Sequence, residues 1–140
     1  MKYFTREASQ KLSHWRGQSR WNSLWARYSQ ELARTRDQFT PGWRELAEAD
    51  FHDAGILAVE RPNPTEVILR LAVPGEGICT LQFLGVRDVR IPDSAAGDIW
   101  LYAEVHFTDG CGDLQVLLCD SELHLSASEV GLFKSHDNAC

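Results

Sequence analysis

The 140-residue chain has no regular cysteine spacing and no long apolar run, and both absences exclude classes of protein. Its cysteines are spaced irregularly, and no pair shows the Cys-x-x-Cys spacing typical of zinc and redox sites. We therefore expect reduced thiols, with neither a disulfide nor a bound metal. No segment approaches the roughly 18 consecutive apolar residues of a membrane-spanning helix. The four cysteines are Cys79, Cys111, Cys119 and Cys140.

Signatures of catalysis are also missing. The sequence contains neither a Gly-x-Ser-x-Gly nucleophile motif nor a glycine-rich phosphate loop. The Gly-x-Gly pairs that begin at Gly75 and Gly110 are typical of hairpin turns instead. The first residues become polar before the apolar core of a signal peptide could form. We therefore expect a cytoplasmic protein that is not an enzyme, uses no cofactor and does not act at a membrane.

Charge is divided unevenly along the chain. Residues 1–48 contain nine Lys or Arg and five Asp or Glu, a net charge of +4. Residues 49–140 contain five Lys or Arg and fifteen Asp or Glu, a net charge of −10. Such asymmetry bears on partners and association rates and not on the fold. We do not expect a nucleic-acid partner, because the acidic part would repel phosphate.

The first part of the chain has the apolar periodicity of helices. Trp21, Leu24 and Trp25 begin a stripe at helical spacing that predicts a long helix to about residue 37. A break is expected near Gly17, with Ser19 as a helix cap. A third, short helix is predicted to begin at residue 41, after the cap residue 40.

From residue 51 the period changes to that of strands. Apolar alternation and turn residues predict about six short strands, at 55–60, 67–73, 78–84, 99–107, 114–119 and 122–127. Short turns favour antiparallel neighbours. We predict a single α+β domain over residues 1–140, with a helical part at 1–48, an antiparallel meander at 49–134 and a flexible tail at 135–140.

Three short motifs are similar to those of known proteins. They are the opening Met1-Lys2-Tyr3-Phe4-Thr5, the pair His52-Asp53 before a strand, and Trp100-Leu101-Tyr102-Ala103-Glu104. Together they resemble a family of bacterial proteins of unknown function that open with Met-Lys-Tyr-Phe-Thr and end in a β-rich part. The resemblance implies a fold and a bacterial origin but no activity. The β-rich part is also similar, as a class, to the small acidic immunity proteins that neutralise bacterial toxins.

A docking surface for a basic partner is predicted on the acidic strands. The turns carry clustered carboxylates, and opposite potentials raise the association rate between two proteins. Strand alternation places Trp100 and Tyr102 on the outer face, where aromatic side chains act as anchors. A merely solubilising surface explains the same carboxylates. The predicted surface consists of Asp93, Asp98, Trp100, Tyr102, Glu104, Asp109, Asp113, Asp120 and Glu122.

The preferred interpretation is an immunity-like or antitoxin-like protein that occludes a basic effector, and two alternatives stay open. One is a small metal-binding or hydrolytic enzyme, if the acid–imidazole patch predicted by strand alternation performs acid–base chemistry or binds a metal. A solvated sheet face with ordinary cross-strand pairs is the favoured explanation of this patch. The other is a homodimeric scaffold, in which basic helices contact the acidic sheet of a second copy. The patch consists of Glu104, His106, Glu122 and His124.

The pair His52-Asp53 has two interpretations. Adjacent His and Asp occur in metal-dependent phosphohydrolases, but that chemistry needs further His and Asp ligands on neighbouring helices. We favour a local role, in which one of the two side chains bonds nearby backbone at a turn.

Overall fold

The computed structural model describes residues 2–10 and 15–135, which form three helices followed by six strands. Helix α1 spans Arg6–Gln10, α2 spans Trp15–Thr35 and α3 spans Pro41–Glu48, and a 3-10 turn at Arg36–Gln38 follows α2. The strands are β1, Gly55–Asn63; β2, Glu66–Val73; β3, Gly77–Arg90; β4, Trp100–Thr108; β5, Cys111–Leu118; and β6, Glu122–Ser135. The predicted α+β class with an antiparallel sheet is confirmed.

Helix α2 continues through the point where a break was expected. The predicted break near Gly17 and the cap at Ser19 are wrong, because α2 is helical from Trp15–Thr35. A glycine in a helix interior costs about 1 kcal/mol relative to alanine. Burial of Trp21 and Tyr28 on one face of α2 outweighs that cost. None of the described helices combines the length and the apolar character needed to cross a bilayer.

The bounds of β2, β4 and β5 lie close to the predicted ones. Strands β1, β3 and β6 run further than predicted, to Asn63, Arg90 and Ser135 instead of residues 60, 84 and 127. Helix α3 begins at Pro41 as expected. The gap predicted between the first two strands, at 61–66, is shorter in the structure, because β1 pairs through Asn63 with Glu66. The side-chain Oδ1 of Asn63 accepts the backbone N–H of Thr65 at 3.0 Å. Ser135, assigned to the tail, is the last residue of β6. Residues 11–14 and 136–140, which include Cys140, lie outside the described residues.

The strand order departs from the predicted meander. Neighbouring strands follow the order β1-β2-β3-β6-β5-β4. The chain leaves β3, passes over one end of the sheet through residues 91–99, and re-enters it at the far edge as β4. This is a Greek-key connection, in which β3 pairs with β6 instead of with the next strand along the chain.

The sheet curves until its two edge strands meet at one end. Gly55 of β1 forms an antiparallel bridge with Ile99, just before β4. Adjacent hydrogen bonds join Ile56 N–H to the Asp98 carbonyl at 2.9 Å and Trp100 N–H to the Ala54 carbonyl at 2.8 Å. The six strands therefore form a partly closed barrel whose edges diverge beyond this junction.

The main core fills the concave side of the sheet, with α3 laid across it. Leu69, Leu81 and Leu125 come from different strands and are fully buried there. Trp43 of α3 is also fully buried, and its ring lies directly over Gly112 of β5. Close packing of the helix on the sheet thus requires a residue without a side chain at position 112.

The N-terminal segment and α2 pack against the opposite, convex face at β4. Tyr3, Phe4 and Trp21 form a second buried cluster together with Tyr28, and Tyr102 of β4 packs against it. The Tyr28 hydroxyl accepts the backbone N–H of the edge-strand residue 105 at 2.7 Å. The basic helical part therefore covers the β4 side of the sheet.

Replacing Gly112 tests this packing. A Cβ at Gly112 would overlap the buried Trp43 ring, so Gly112→Ala is expected to lower the free energy of unfolding by about 3 kcal/mol. Gly55→Ala is the matched control, because an added Cβ at Gly55 meets nothing within 4 Å. Urea unfolding of both variants gives the measurement, and equal stabilities would contradict the described contact.

Candidate functional site

The residues predicted to form one docking surface lie in three different environments. Some are exposed at turns, some are half-buried on the convex face, and others are buried. Asp93, Asp109, Asp120 and Glu122 are exposed; Tyr102 and Asp113 are half-buried; and Asp98, Trp100 and Glu104 are buried.

Trp100 does not lie on the outer face, contrary to the prediction. A bulge at Leu101 shifts the register, since Trp100 pairs with Leu118 and Tyr102 pairs with Leu117. The extra residue reverses the alternation, so Trp100 enters the core and packs against Phe51 at a ring-centroid distance of 5.3 Å. Trp100 is 3% exposed and is therefore not an anchor for a partner.

Tyr102 lies on the expected face but is covered by the chain's own aromatic residues. Its ring centroid is 4.6 Å from that of Trp21 and 5.0 Å from that of His52. Burial, together with the negative charge of Asp53, raises the pKa of the Tyr102 hydroxyl.

Glu104 anchors the N-terminal segment instead of facing a partner. Its buried carboxylate accepts the backbone N–H groups of Tyr3 and Phe4, each at 2.7 Å, and that of Lys2 at 3.1 Å. Burial alone would raise the pKa of Glu104, but hydrogen bonds from His106 and from these three N–H groups outweigh it and leave the pKa lowered. A charged carboxylate is thus held in the interior by four donors.

Asp98 has a similar structural role at the end of the sheet where the edges meet. Its carboxylate accepts hydrogen bonds from the backbone N–H of Ile99 at 2.8 Å, from the backbone N–H of Asp120 at 3.3 Å and from the hydroxyl of Ser121 at 3.0 Å. Among the described residues, one set of three His, Cys, Asp or Glu side chains has potential metal-ligand atoms within 4.8 Å of one another. It consists of Asp98, Cys119 and Asp120. The bonds to Asp98 account for its burial without an ion.

The exposed carboxylates divide between the two ends of β4. Asp93, Asp120 and Glu122 lie near the junction at Asp98, and we name these three residues the acidic end. Asp109 lies at the other end of β4, about 27 Å away along an extended strand of this length. The predicted docking surface is therefore not continuous.

The predicted acid–imidazole patch separates into two pairs. The Nε2 atom of His106 lies 3.2 Å from Glu104 on β4. His124 pairs with Asp113 through Nε2 and faces Asp88 through Nδ1 at 3.6 Å. Within the described ranges, no three of these side chains bring ligand atoms within 4.8 Å of one another.

A cleft of about 590 Å³ lies between α2, β4 and the segment that joins α3 to β1. The volume is within the roughly 300–1,000 Å³ typical of ligand sites. Trp21 and Trp25 of α2 form one wall and Tyr102 of β4 another. His52 lines the cleft, and its Nδ1 atom lies 2.7 Å from the Leu101 carbonyl oxygen. This contact requires the proton on Nδ1. It joins His52 to backbone 49 residues away, so His52 does not make the bond to nearby backbone that was expected at this turn.

No sequence pattern indicates this cleft. The spacing of four residues between Trp21 and Trp25 predicts only that they share one helix face, as part of an apolar stripe. Nothing in the local sequence indicates that this face lies beside the edge of β4. The cleft depends on contacts between segments about 80 residues apart in the chain.

Comparison with protein families matches residues 1–124 to the family described as "Protein of unknown function (DUF4085)". The chain belongs to the DUF4085 family. The expectation of a family of unknown function is thus confirmed. The DUF4085 match includes Glu104, the acidic end and the whole cleft. A comparison with curated proteins finds no match.

The substitution Glu104→Gln tests the anchoring of the N-terminal segment. The neutral amide weakens the bonds to three backbone N–H groups, so we expect the free energy of unfolding at pH 7 to fall by about 2 kcal/mol. Glu122→Gln is the matched control, because Glu122 is exposed, and a change within about 0.5 kcal/mol is expected there. Equal effects in urea unfolding would refute the anchoring role.

The lowered pKa of Glu104 also predicts a dependence on pH. The unfolded chain binds the proton near the ordinary pKa of 4.5, whereas the folded protein binds it only at lower pH. Stabilisation by the ionised carboxylate is therefore present above pH 4.5 and is lost as the pH falls through the folded value. Glu31, whose pKa is lowered chiefly by a hydrogen bond from Tyr3, acts in the same direction. The stability difference between wild type and Glu104→Gln should shrink over this acidic range.

Proposed function

We propose that this DUF4085 protein is a cytoplasmic, non-enzymatic protein-binding module of bacteria. Its role is that of an immunity or antitoxin protein, and its acidic end docks a basic effector. The single observation that carries the proposal is the exposed, negatively charged junction of the barrel, which bears Asp93, Asp120 and Glu122 together with an exposed apolar residue, Ile99.

The apolar centre of this surface supports docking. Ile99 is 41% exposed, and its carbonyl oxygen accepts the N–H of Cys119 at 2.9 Å. It therefore lies beside the turn that carries Asp120 and Glu122. An apolar centre with a charged rim is the usual anatomy of a protein interface.

Ion pairs with the basic helices do not neutralise the acidic end, although the positive charge of Arg6 lies at its turn. Lys2 pairs with Glu31 and Arg36 pairs with Glu48, so these cations bind acids of their own segment. Among the described residues, no ion pair joins a Lys or Arg of residues 2–48 to a carboxylate beyond residue 48. The Arg6 guanidinium lies at the β5–β6 turn, but it donates to backbone carbonyl oxygens there.

A basic effector fits this surface on physical grounds. A toxin that cuts nucleic acid must attract phosphate, so its functional surface is cationic. An acidic partner associates rapidly with such a surface and covers it. The proposed surface is smaller than the one predicted from sequence, since Asp98, Trp100 and Glu104 are buried and Asp109 is distant.

No specific observation supports either alternative function. The enzyme would need Glu104, His106 and His124 around one site, but Glu104 is engaged with the N-terminal backbone. The homodimeric scaffold would use the same acidic end against the basic helices of a second copy, and its test is included in the experiment below.

The experiment uses the proteins encoded by the immediately neighbouring genes. Each is purified, and its association with this chain is measured by stopped-flow fluorescence at several salt concentrations. We expect a basic neighbour to bind, and the double variant Asp120→Asn with Glu122→Gln to slow association about tenfold at low salt.

The matched control removes two charges elsewhere. Asp37→Asn with Asp109→Asn changes the net charge equally, but both residues are exposed and lie near the far end of β4. Equal slowing by both double variants, or no binding by any neighbour-encoded protein, would argue against the proposal. A dimer in light scattering that only the Asp120 and Glu122 double variant dissociates would favour the scaffold instead.

A further inference from the structure

We infer that the cleft between α2 and β4 binds a small organic cation, such as a quaternary ammonium group, against its aromatic walls. The inference does not depend on the proposed partner, because the cleft and the acidic end are formed by different residues.

The aromatic walls meet at steep angles. The rings of Trp25 and Tyr102 are inclined by 74° with centroids 6.4 Å apart, and the rings of Trp21 and Tyr102 are inclined by 66° at 4.6 Å. Trp25 is 41% exposed, so part of its ring remains accessible from the cleft. Trp21 and Tyr102 pack edge to face on each other, and the exposed part of the Trp25 ring carries the negative potential that attracts a cation.

The charged side chains around the cleft are all of one sign. Its lining includes the carboxylates of Glu48 and Asp50, and no Lys or Arg lines it within the described part of the chain. The two carboxylates differ in their partners. Glu48 forms an ion pair with Arg36 at 2.7 Å, whereas the described bond of Asp50 is from the backbone N–H of His52, at 3.1 Å. Such a lining disfavours phosphate and carboxylate ligands and favours a cation.

The edge of β4 adds backbone dipoles to the same space. Val105 N–H points away from β5, because it donates to the Tyr28 hydroxyl. Groups two residues apart on a strand point to the same side, so the N–H and carbonyl of Ala103 also point away from β5. Ala103 lines the cleft, where its carbonyl oxygen offers a partial negative charge to a cation and its N–H, on the same side, a partial positive one.

The competing occupant is an uncharged apolar molecule, which would use the same aromatic surface. Choline and its neutral carbon isostere dimethylbutanol separate the two cases, because they share a shape and differ in charge. Both are titrated at constant ionic strength, with tryptophan fluorescence and the NMR shift of the ligand methyl groups as readouts. For so small an ion we expect a dissociation constant on the order of millimolar.

We expect choline to bind about tenfold more tightly than the isostere, with methyl resonances shifted by the aromatic rings. Trp25→Leu keeps an apolar side chain at an exposed site and should weaken choline binding about tenfold, with less effect on the isostere. Asp50→Asn should weaken choline binding about threefold. Asp109→Asn is the control, because Asp109 lies at the far turn and asparagine tolerates its φ of 54°.

Three results would overturn the inference. Equal affinity for choline and the isostere would assign the cleft to uncharged ligands. Unchanged choline binding in Trp25→Leu, with circular dichroism confirming the fold, would place the cation elsewhere. The absence of saturable binding at concentrations on the order of tens of millimolar would leave no cation site in the cleft.

Discussion

The buried carboxylate of Glu104 joins the two halves of the molecule. It accepts the backbone N–H groups of Lys2, Tyr3 and Phe4, and so fixes the N-terminal segment against β4. Arg6 then reaches the β5–β6 turn, and Phe4 packs against Trp21 of α2. Both candidate surfaces follow from this contact, because it positions one helix beside the acidic end and another along the cleft.

The edge of β4 is the second constraint on the structure. An unpaired edge strand exposes N–H and carbonyl groups that can pair with another chain. Here the Tyr28 hydroxyl bonds the N–H of Val105, and His52 bonds the carbonyl oxygen of Leu101. Ala103 lies between these two contacts and faces the cleft. The groups that protect the edge therefore also define the polar part of the candidate ligand site.

Local patterns predicted the elements well wherever one face of a strand is buried. Val67, Leu69 and Leu71 alternate with partly or fully exposed residues, and the strand that contains them has nearly the predicted bounds. The same rule failed at Trp100, because the bulge at Leu101 reverses the alternation and has no clear signal in the sequence. It also assigned Glu104 to the correct face without indicating that the N-terminal segment covers that face.

The sequence by itself determined the α+β class, the approximate positions of the six strands and the separation of basic from acidic segments, because these depend on side-chain periodicity and on local turns. Only the tertiary structure decided the strand order, the burial of Asp98, Trp100 and Glu104, and the existence of the cleft. These features arise from contacts between residues far apart in the chain. Their energies depend on how whole elements pack, and periodicity along one element carries no information about its neighbour in space.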